Sequence, residues 1–216
     1  MTAIVFDLDN CLAAANEPGE HLLAPVFDAV CATNARALTA AALEAAFRDC
    51  WIHAFDWVAE RHGFTEKMRV AGWRAFREIE VRAPMHGYGD LDLLPTLGDV
   101  RFLVTSGFRR LQESKVRSLG IAPHFAEIIV DAIDEPERCG KERIFADLIR
   151  DHGLSRQNVI VLGDNIESEL AAANRLGLSN VQILRPGVVP ASDVSARVQN
   201  LSALRDWLRR RGSDGG

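Results

Sequence analysis

Short apolar runs spaced by stretches of helical length constrain this chain more than any other feature. They lie at Ala3 to Leu8, Arg101 to Thr105, Glu127 to Val130, Asn158 to Leu162 and Asn180 to Leu184. Runs of this length and composition read as buried strands of a parallel sheet. From the second run onward they alternate with amphipathic segments at Arg109 to Leu119, Lys141 to His152 and Ile166 to Leu176, and a last helix is expected from about Ser202 to Arg211. The alternation predicts an α/β fold with a doubly wound parallel sheet. Gly120, Gly153 and Gly177 each follow a helical segment, where a residue tolerant of positive φ ends a helix.

The first two runs are separated by about 90 residues, far more than a strand-to-helix connection needs, so something folded is inserted there. Leu22 to Ala37, Thr39 to His62 and Thr65 to Arg82 are rich in Ala, Leu, Glu and Arg, with Thr39 and Thr65 placed as N-caps and Gly63 as a stop. They predict a small helical bundle whose core takes most of Phe47, Trp51, Phe55, Trp57, Trp73 and Phe76. Turns at Pro84 to Asp90 and Pro95 to Asp99 lead back to the sheet. The expected division is a core of residues 1–14 and 90–216 with a helical cap of residues 15–89. Only Gly212 to Gly216 has the composition of a frayed tail.

Composition narrows the partners. The chain has 216 residues, 48% hydrophobic and 25% charged, near the globular average and sufficient for a full core. Its net charge of −5 gives no electrostatic case for nucleic acid, and Arg209-Arg210-Arg211 reads as a helix C-terminus meeting its dipole. No apolar run reaches the roughly 18 residues of a membrane span. The first strand begins almost at once, without a basic region leading to an apolar segment, so a cytoplasmic protein without a membrane partner is expected. Four cysteines without a CxxC pattern and six histidines without HExxH spacing argue against a disulfide framework or a histidine-bound metal. Most of the cysteines are expected to be buried. Monomer and homodimer are both open.

In a parallel sheet the C-terminal strand ends share one edge, where open α/β folds bind ligands. Asp7 and Asp9 follow the first strand, Thr105-Ser106-Gly107 the second, and Gly163-Asp164 the fourth, with Glu167 and Glu169 beyond; Lys141 opens the helix between strands three and four. Asp7 and Asp9 alternate along an extended segment and so emerge on one side. Such a set is able to hold Mg2+ and a phosphoryl group.

On these motifs the chain resembles the haloacid dehalogenase-like hydrolase superfamily. The first motif is Asp7-Leu8-Asp9-Asn10-Cys11, the second ends at Thr105, the third is Lys141, and the fourth is Gly163-Asp164 with Glu169. The insert resembles the helical cap of the first cap class. The resemblance implies Asp7 as nucleophile, forming an aspartyl phosphate, and Asp9 as acid and base. It implies Lys141 as the neutralising cation, and Thr105, Ser106 and Gly107 as the phosphate cradle. Mg2+ would be held by Asp7, Asp9 through its carbonyl, and Asp164, with Glu169 reaching it through water.

Three departures stand out. Cys11 replaces the usual Thr or Val; Glu142-Arg143-Ile144 follows Lys141 where Pro-Asp-Pro is common, leaving Arg143 and Lys115 as substitutes; and Glu169 stands for Asp. The implied activity is a Mg2+-dependent phosphatase of a small phosphorylated metabolite, a nucleotide or sugar phosphate. A capped phosphomutase is the alternative, and a binding protein without turnover a more distant one. Dehalogenation is disfavoured because that branch has no acid at the position of Asp9. Trp51, His53, Arg82, His86 and Tyr88 could reach a substrate, though surface or packing roles are expected for each.

Overall fold

Among residues 1–213, which the computed structural model describes, six strands form one sheet. They are β1 (Ala3–Phe6), β2 (Val100–Gly107), β3 (Glu127–Ala132), β4 (Val159–Gly163), β5 (Ser179–Ile183) and β6 (Ala196–Val198). Their order is β3-β2-β1-β4-β5-β6 and every pairing is parallel. The chain therefore leaves β1 in one direction for β2 and β3 and in the other for β4 to β6. This reversal makes the end of β1 the switch point of the sheet.

The two faces of the sheet bury alternate residues, as the pleat requires. Ile4, Phe6, Leu103, Ile160 and Leu162 pack on one side with Val116 of α5 (Arg109–Leu119) and with Leu201 and Leu204 of the last helix, Leu201–Ser213. Ala3, Val5, Phe102, Val104 and Val161 pack on the other. There they meet Ile144, Phe145 and Leu148 of α6 (Lys141–Asp151) and Ala172 and Ala173 of α7 (Glu169–Arg175). The last helix is α8. Its Arg211 donates to Ser179 Oγ at 2.8 Å and to the Gln157 carbonyl at 3.2 Å, so it fastens the helix to the sheet.

Between β1 and β2 lie four α-helices: α1 (Ala24–Thr33), α2 (Ala40–Asp49), α3 (Phe55–Arg61) and α4 (Glu66–Arg77). Thr39 and Thr65 cap α2 and α4, accepting from Ala42 N at 3.2 Å and Met68 N at 3.3 Å. Three differences from the sequence expectation have local causes. The expected helix over Thr39 to His62 is two helices, because the chain bends at Cys50 to Ala54 and restarts at Phe55. The first helix stops at Thr33, since Ala35 and Arg36 take positive φ. The third ends at Arg77, and Val81 N donates instead to Ser114 Oγ of α5 at 2.8 Å.

The sequence also offered no β6, whose three residues carry only one buried side chain, Val198. Helix α8 continues through Gly212 and Ser213 into the stretch expected to fray, and the rest of that tail lies outside the described residues. Cys11 alone of the four cysteines is fully buried, against the expectation that most would be; Cys31 and Cys139 are exposed. No helix among the described residues is long and apolar enough to cross a membrane.

The two connections to the helical insert are clasped together. Glu17 accepts from Gly87 N at 3.0 Å, and Tyr88 N donates to the Leu12 carbonyl at 3.2 Å. Arg185 stacks over Tyr88 at 4.4 Å and donates to the Cys11 carbonyl and to Asp90, each at 2.9 Å. Within the insert α1 and α4 pack closely, and Gly72 of α4 faces the Phe55 ring and Val30. A Cβ on Gly72 would stand 2.9 Å from Val30 Cγ2 and closer still to Phe55. Gly72→Ala is therefore expected to destabilise the protein by about 1–3 kcal/mol, seen as a lowered denaturant midpoint with an unchanged slope.

Candidate active site

The loop leaving β1 is built by its own backbone. The Leu8 carbonyl accepts from Leu12 N at 2.9 Å and Ala13 N at 3.2 Å, and Asn10 takes φ 55° in the left-handed region that Asn tolerates. Asp7 N still pairs with the Leu162 carbonyl at 2.9 Å, so the carboxylate of Asp7 projects from the ladder at its last rung. Cys11 fills space beneath, its thiol 3.8 Å from the Leu162 carbonyl, and burial followed by the charge of Asp7 keeps it protonated.

Lys141, the first residue of α6, reaches Asp7 Oδ1 at 2.7 Å and Glu169 Oε2 at 2.8 Å. All three are buried. Burial pulls the Lys141 ammonium down, but Asp7 and then Glu169 outweigh it and hold the group charged. Glu169 is fixed at its other oxygen by Asn165 N at 2.7 Å. Its side chain folds so close under Gly163 that a Cβ there would overlap it, which gives this glycine its reason. Arg143, a possible substitute for Lys141, is exposed and pairs with Asp147 at 2.8 Å, away from the strand ends.

Asp9 stands apart from this trio. Lys115 Nζ lies 2.6 Å from its Oδ1 and Gln112 Nε2 lies 3.1 Å from its Oδ2, both donors coming from α5. Gln112 also accepts from Thr105 Oγ1 at 3.2 Å and crowds Gly107, where a Cβ would stand 2.6 Å from Nε2. Ser106 Oγ donates to Asp131 Oδ2 at 3.2 Å. Asp131 in turn accepts from Gly140 N at 3.0 Å, anchoring the turn that delivers Lys141, and from Arg138 Nε at 3.4 Å. Arg138 continues to Asp56 of α3, so one chain of polar contacts runs from the insert to the β2 loop and to the start of α6.

The structure thus gathers Asp7, Asp9, Thr105, Ser106, Gly107, Lys141, Asp164 and Glu169 around one cavity of about 430 Å3, with Trp51, His53, Asp56 and Trp57 of the insert on its other side. Arg82, His86 and Tyr88 do not line it. Gln112, Asp131 and Arg138 do not figure in the sequence reading at all. The signal for Asp131 was an acid at a strand end, hidden because β3 runs past Val130; Gln112 and Lys115 sit three apart on the buried face of α5, where polar residues need partners. A larger open groove of about 830 Å3 lies between α4 and α5. It holds none of the strand-end acids, and its Arg109 and Arg110 are engaged by Glu135, Glu113 and Glu78.

Carboxylate oxygens of Asp7, Asp164 and Glu169 lie within 4.8 Å of one another. Burial raises the pKa of Asp7, with Lys141 opposing and Glu169 adding to the rise; burial, Glu169 and Asp7 raise that of Asp164. Three carboxylates thus share one ammonium, and this oxygen-only donor set fits a hard divalent cation. Asp9 offers no carboxylate oxygen to that cluster, as both of its oxygens face α5.

Fold and site together define a doubly wound α/β enzyme with paired acids and a buried lysine at its switch point. The chain matches the haloacid dehalogenase-like hydrolase family over residues 1–177 and belongs to it. A curated glyceraldehyde 3-phosphate phosphatase from Methanopyrus kandleri is 29% identical over 103 residues, 44% of this chain and 42% of that protein. This chain therefore spans less than half of that relative. A phosphatase structure of the family from Thermococcus onnurineus superposes with a TM-score of 0.64 at 20% identity, covering 96% of this chain and 98% of that one. A 2-haloacid dehalogenase from Pseudomonas syringae pv. Tomato superposes with a TM-score of 0.56 at 16% identity, covering 97% and 99%. These likenesses are of fold; the side chains must decide the chemistry.

Replacing Lys141 by Met leaves Asp7 and Glu169 buried without their shared cation. The expected loss is about 3–5 kcal/mol of stability. It should shrink on acidification, since protonating the two carboxylates removes their repulsion; unfolding curves of K141M and wild type at alkaline and acidic pH check this.

Proposed function

We propose that this hydrolase is a Mg2+-dependent phosphatase of small phosphorylated metabolites, working through an aspartyl phosphate on Asp7. The observation that carries this reading is the separation of two acids two residues apart. Asp7 lies on Lys141 beside the acid cluster, while Asp9 is turned to Lys115 and Gln112. A nucleophile and a proton carrier need such different surroundings. Dehalogenation has no leaving-group proton to supply and gives Asp9 nothing to do.

In this reading Asp7 attacks phosphorus in line, and the bond to the ester oxygen breaks. Asp9 leaves Lys115 and Gln112, takes up a proton from solvent and gives it to that oxygen, then takes one from the water that splits the aspartyl phosphate into inorganic phosphate and free Asp7. Lys141 opposes the effect of burial on Asp7, favouring its ionised form, and orients the carboxylate for attack. The Thr105 hydroxyl and the amides of Ser106 and Gly107 donate to the phosphoryl oxygens. Asp7, Asp164 and the Asp9 carbonyl would hold Mg2+, with Glu169 behind them. Bound there, the ion supplies positive charge against which phosphoryl oxygens are neutralised. The helical insert acts as a cap, and the Arg138–Asp56 contact helps draw it over the cavity. The named activity of the Methanopyrus kandleri relative makes triose phosphates the first substrates to try.

Hydrolysis of 4-nitrophenyl phosphate is expected with Mg2+, lost on chelation and restored by adding the ion back. Asp7→Asn should abolish turnover, a loss of at least about 1,000-fold in kcat, with an unchanged circular dichroism spectrum. Retained turnover in that variant would refute the covalent route.

A further inference from the structure

The charges around the cavity specify what the phosphoryl group is attached to, an argument that rests on the phosphatase reading above. Asp7, Asp9, Asp164 and Glu169 lie at the strand ends, and Asp56, Glu60 and Glu167 complete the acids of the lining. Against these seven stand three permanent cations, Lys115, Arg138 and Lys141.

Each of the three is already held by a carboxylate. Lys115 lies 2.6 Å from Asp9, Lys141 lies 2.7 Å from Asp7 and 2.8 Å from Glu169, and Arg138 bridges Asp56 and Asp131. Glu60 of α3 and Glu167 of the β4 loop are exposed and have no cationic partner among the described residues. His53, stacked on the Trp57 ring at 4.0 Å, is the one other group able to carry positive charge. A divalent cation at the acid cluster would be matched by the phosphoryl group itself, so nothing is left to receive a second anion.

The same wall offers carbon surface. Ile52 is 56% exposed and Trp57 38% exposed, and both line the cavity. Exposed apolar side chains on the wall of a cleft offer carbon surface that a ligand can cover. We infer that the substrate is a phosphate monoester whose leaving group is uncharged and lays carbon against Trp57 and Ile52, without a carboxylate or a second phosphate. Discrimination comes from like-charge repulsion at Glu60 and Glu167, which excludes the wrong ligand more than it attracts the right one.

The test compares matched esters on the full chain with Mg2+ at low ionic strength. One pair is phenyl phosphate and 4-carboxyphenyl phosphate; the other is glycerol 3-phosphate and 3-phosphoglycerate. The neutral member of each pair should show at least about tenfold higher kcat/KM, and salt should narrow the gap. Glu60→Gln and Glu167→Gln should each narrow it by about twofold, as expected for one charge removed at a separation on the order of 8 Å in a water-like medium. Equal use of both members, preference for the carboxylate, or a ratio that neither substitution moves would overturn the inference while leaving the phosphatase reading intact. Failure to hydrolyse any of the four esters would remove the phosphatase reading and this inference with it.

Discussion

Everything at this site hangs on a buried ammonium shared between two buried carboxylates. Lys141 touches Asp7 and Glu169 at once, so it joins β1, the start of α6 and the start of α7 at one point. Removing charges from water is costly, and only close pairing repays it. That requirement explains several smaller choices. Gly163 is small so that Glu169 can fold back, Asn165 N fixes the second oxygen of Glu169, and Asp131 anchors the turn that presents Lys141. With Asp164 beside them the cluster remains short of positive charge, which is the property a metal-dependent phosphoryl site needs.

Sheet topology makes such a cluster possible. Because β1 lies between β2 and β4, its end opens toward both neighbours, and side chains from three strand ends converge there. The helical insert leaves from that same point and returns beside it, clasped by Glu17 and Gly87. Its Asp56 meets Arg138, which rests on Asp131. Asp131 also holds Ser106 at the end of β2 and Gly140 in the turn before Lys141, so side-chain contacts join the insert to both.

Much of this was legible in the sequence because its signals are local. Buried parallel strands are continuous apolar runs, so β1, β2, β4 and β5 declared themselves, and Thr39 and Thr65 marked helix starts by cap chemistry alone. Asp7, Thr105, Lys141 and Asp164 stood out by their places at strand ends and at a helix start. What escaped was decided by distant partners. The break at Cys50 to Ala54 follows from packing of Phe55 against α4 rather than from a breaker residue, and β6 is too short to show a pattern. Asp131 and Arg138 acquire meaning only once β3 lies beside β2 and the insert lies above both. Asp9 was read beside Asp7, but only the structure turns it toward α5.

The proposed chemistry turns on whether Asp7 carries the phosphoryl group. The most direct measurement quenches the enzyme during turnover of 4-nitrophenyl phosphate with Mg2+, reduces it with borohydride and maps the peptides by mass spectrometry. An acyl phosphate on Asp7 is reduced to homoserine, so homoserine is expected at position 7 with Asp9 unmodified. Homoserine at Asp9 or Asp164, or active enzyme with no reduced carboxylate at all, would contradict it.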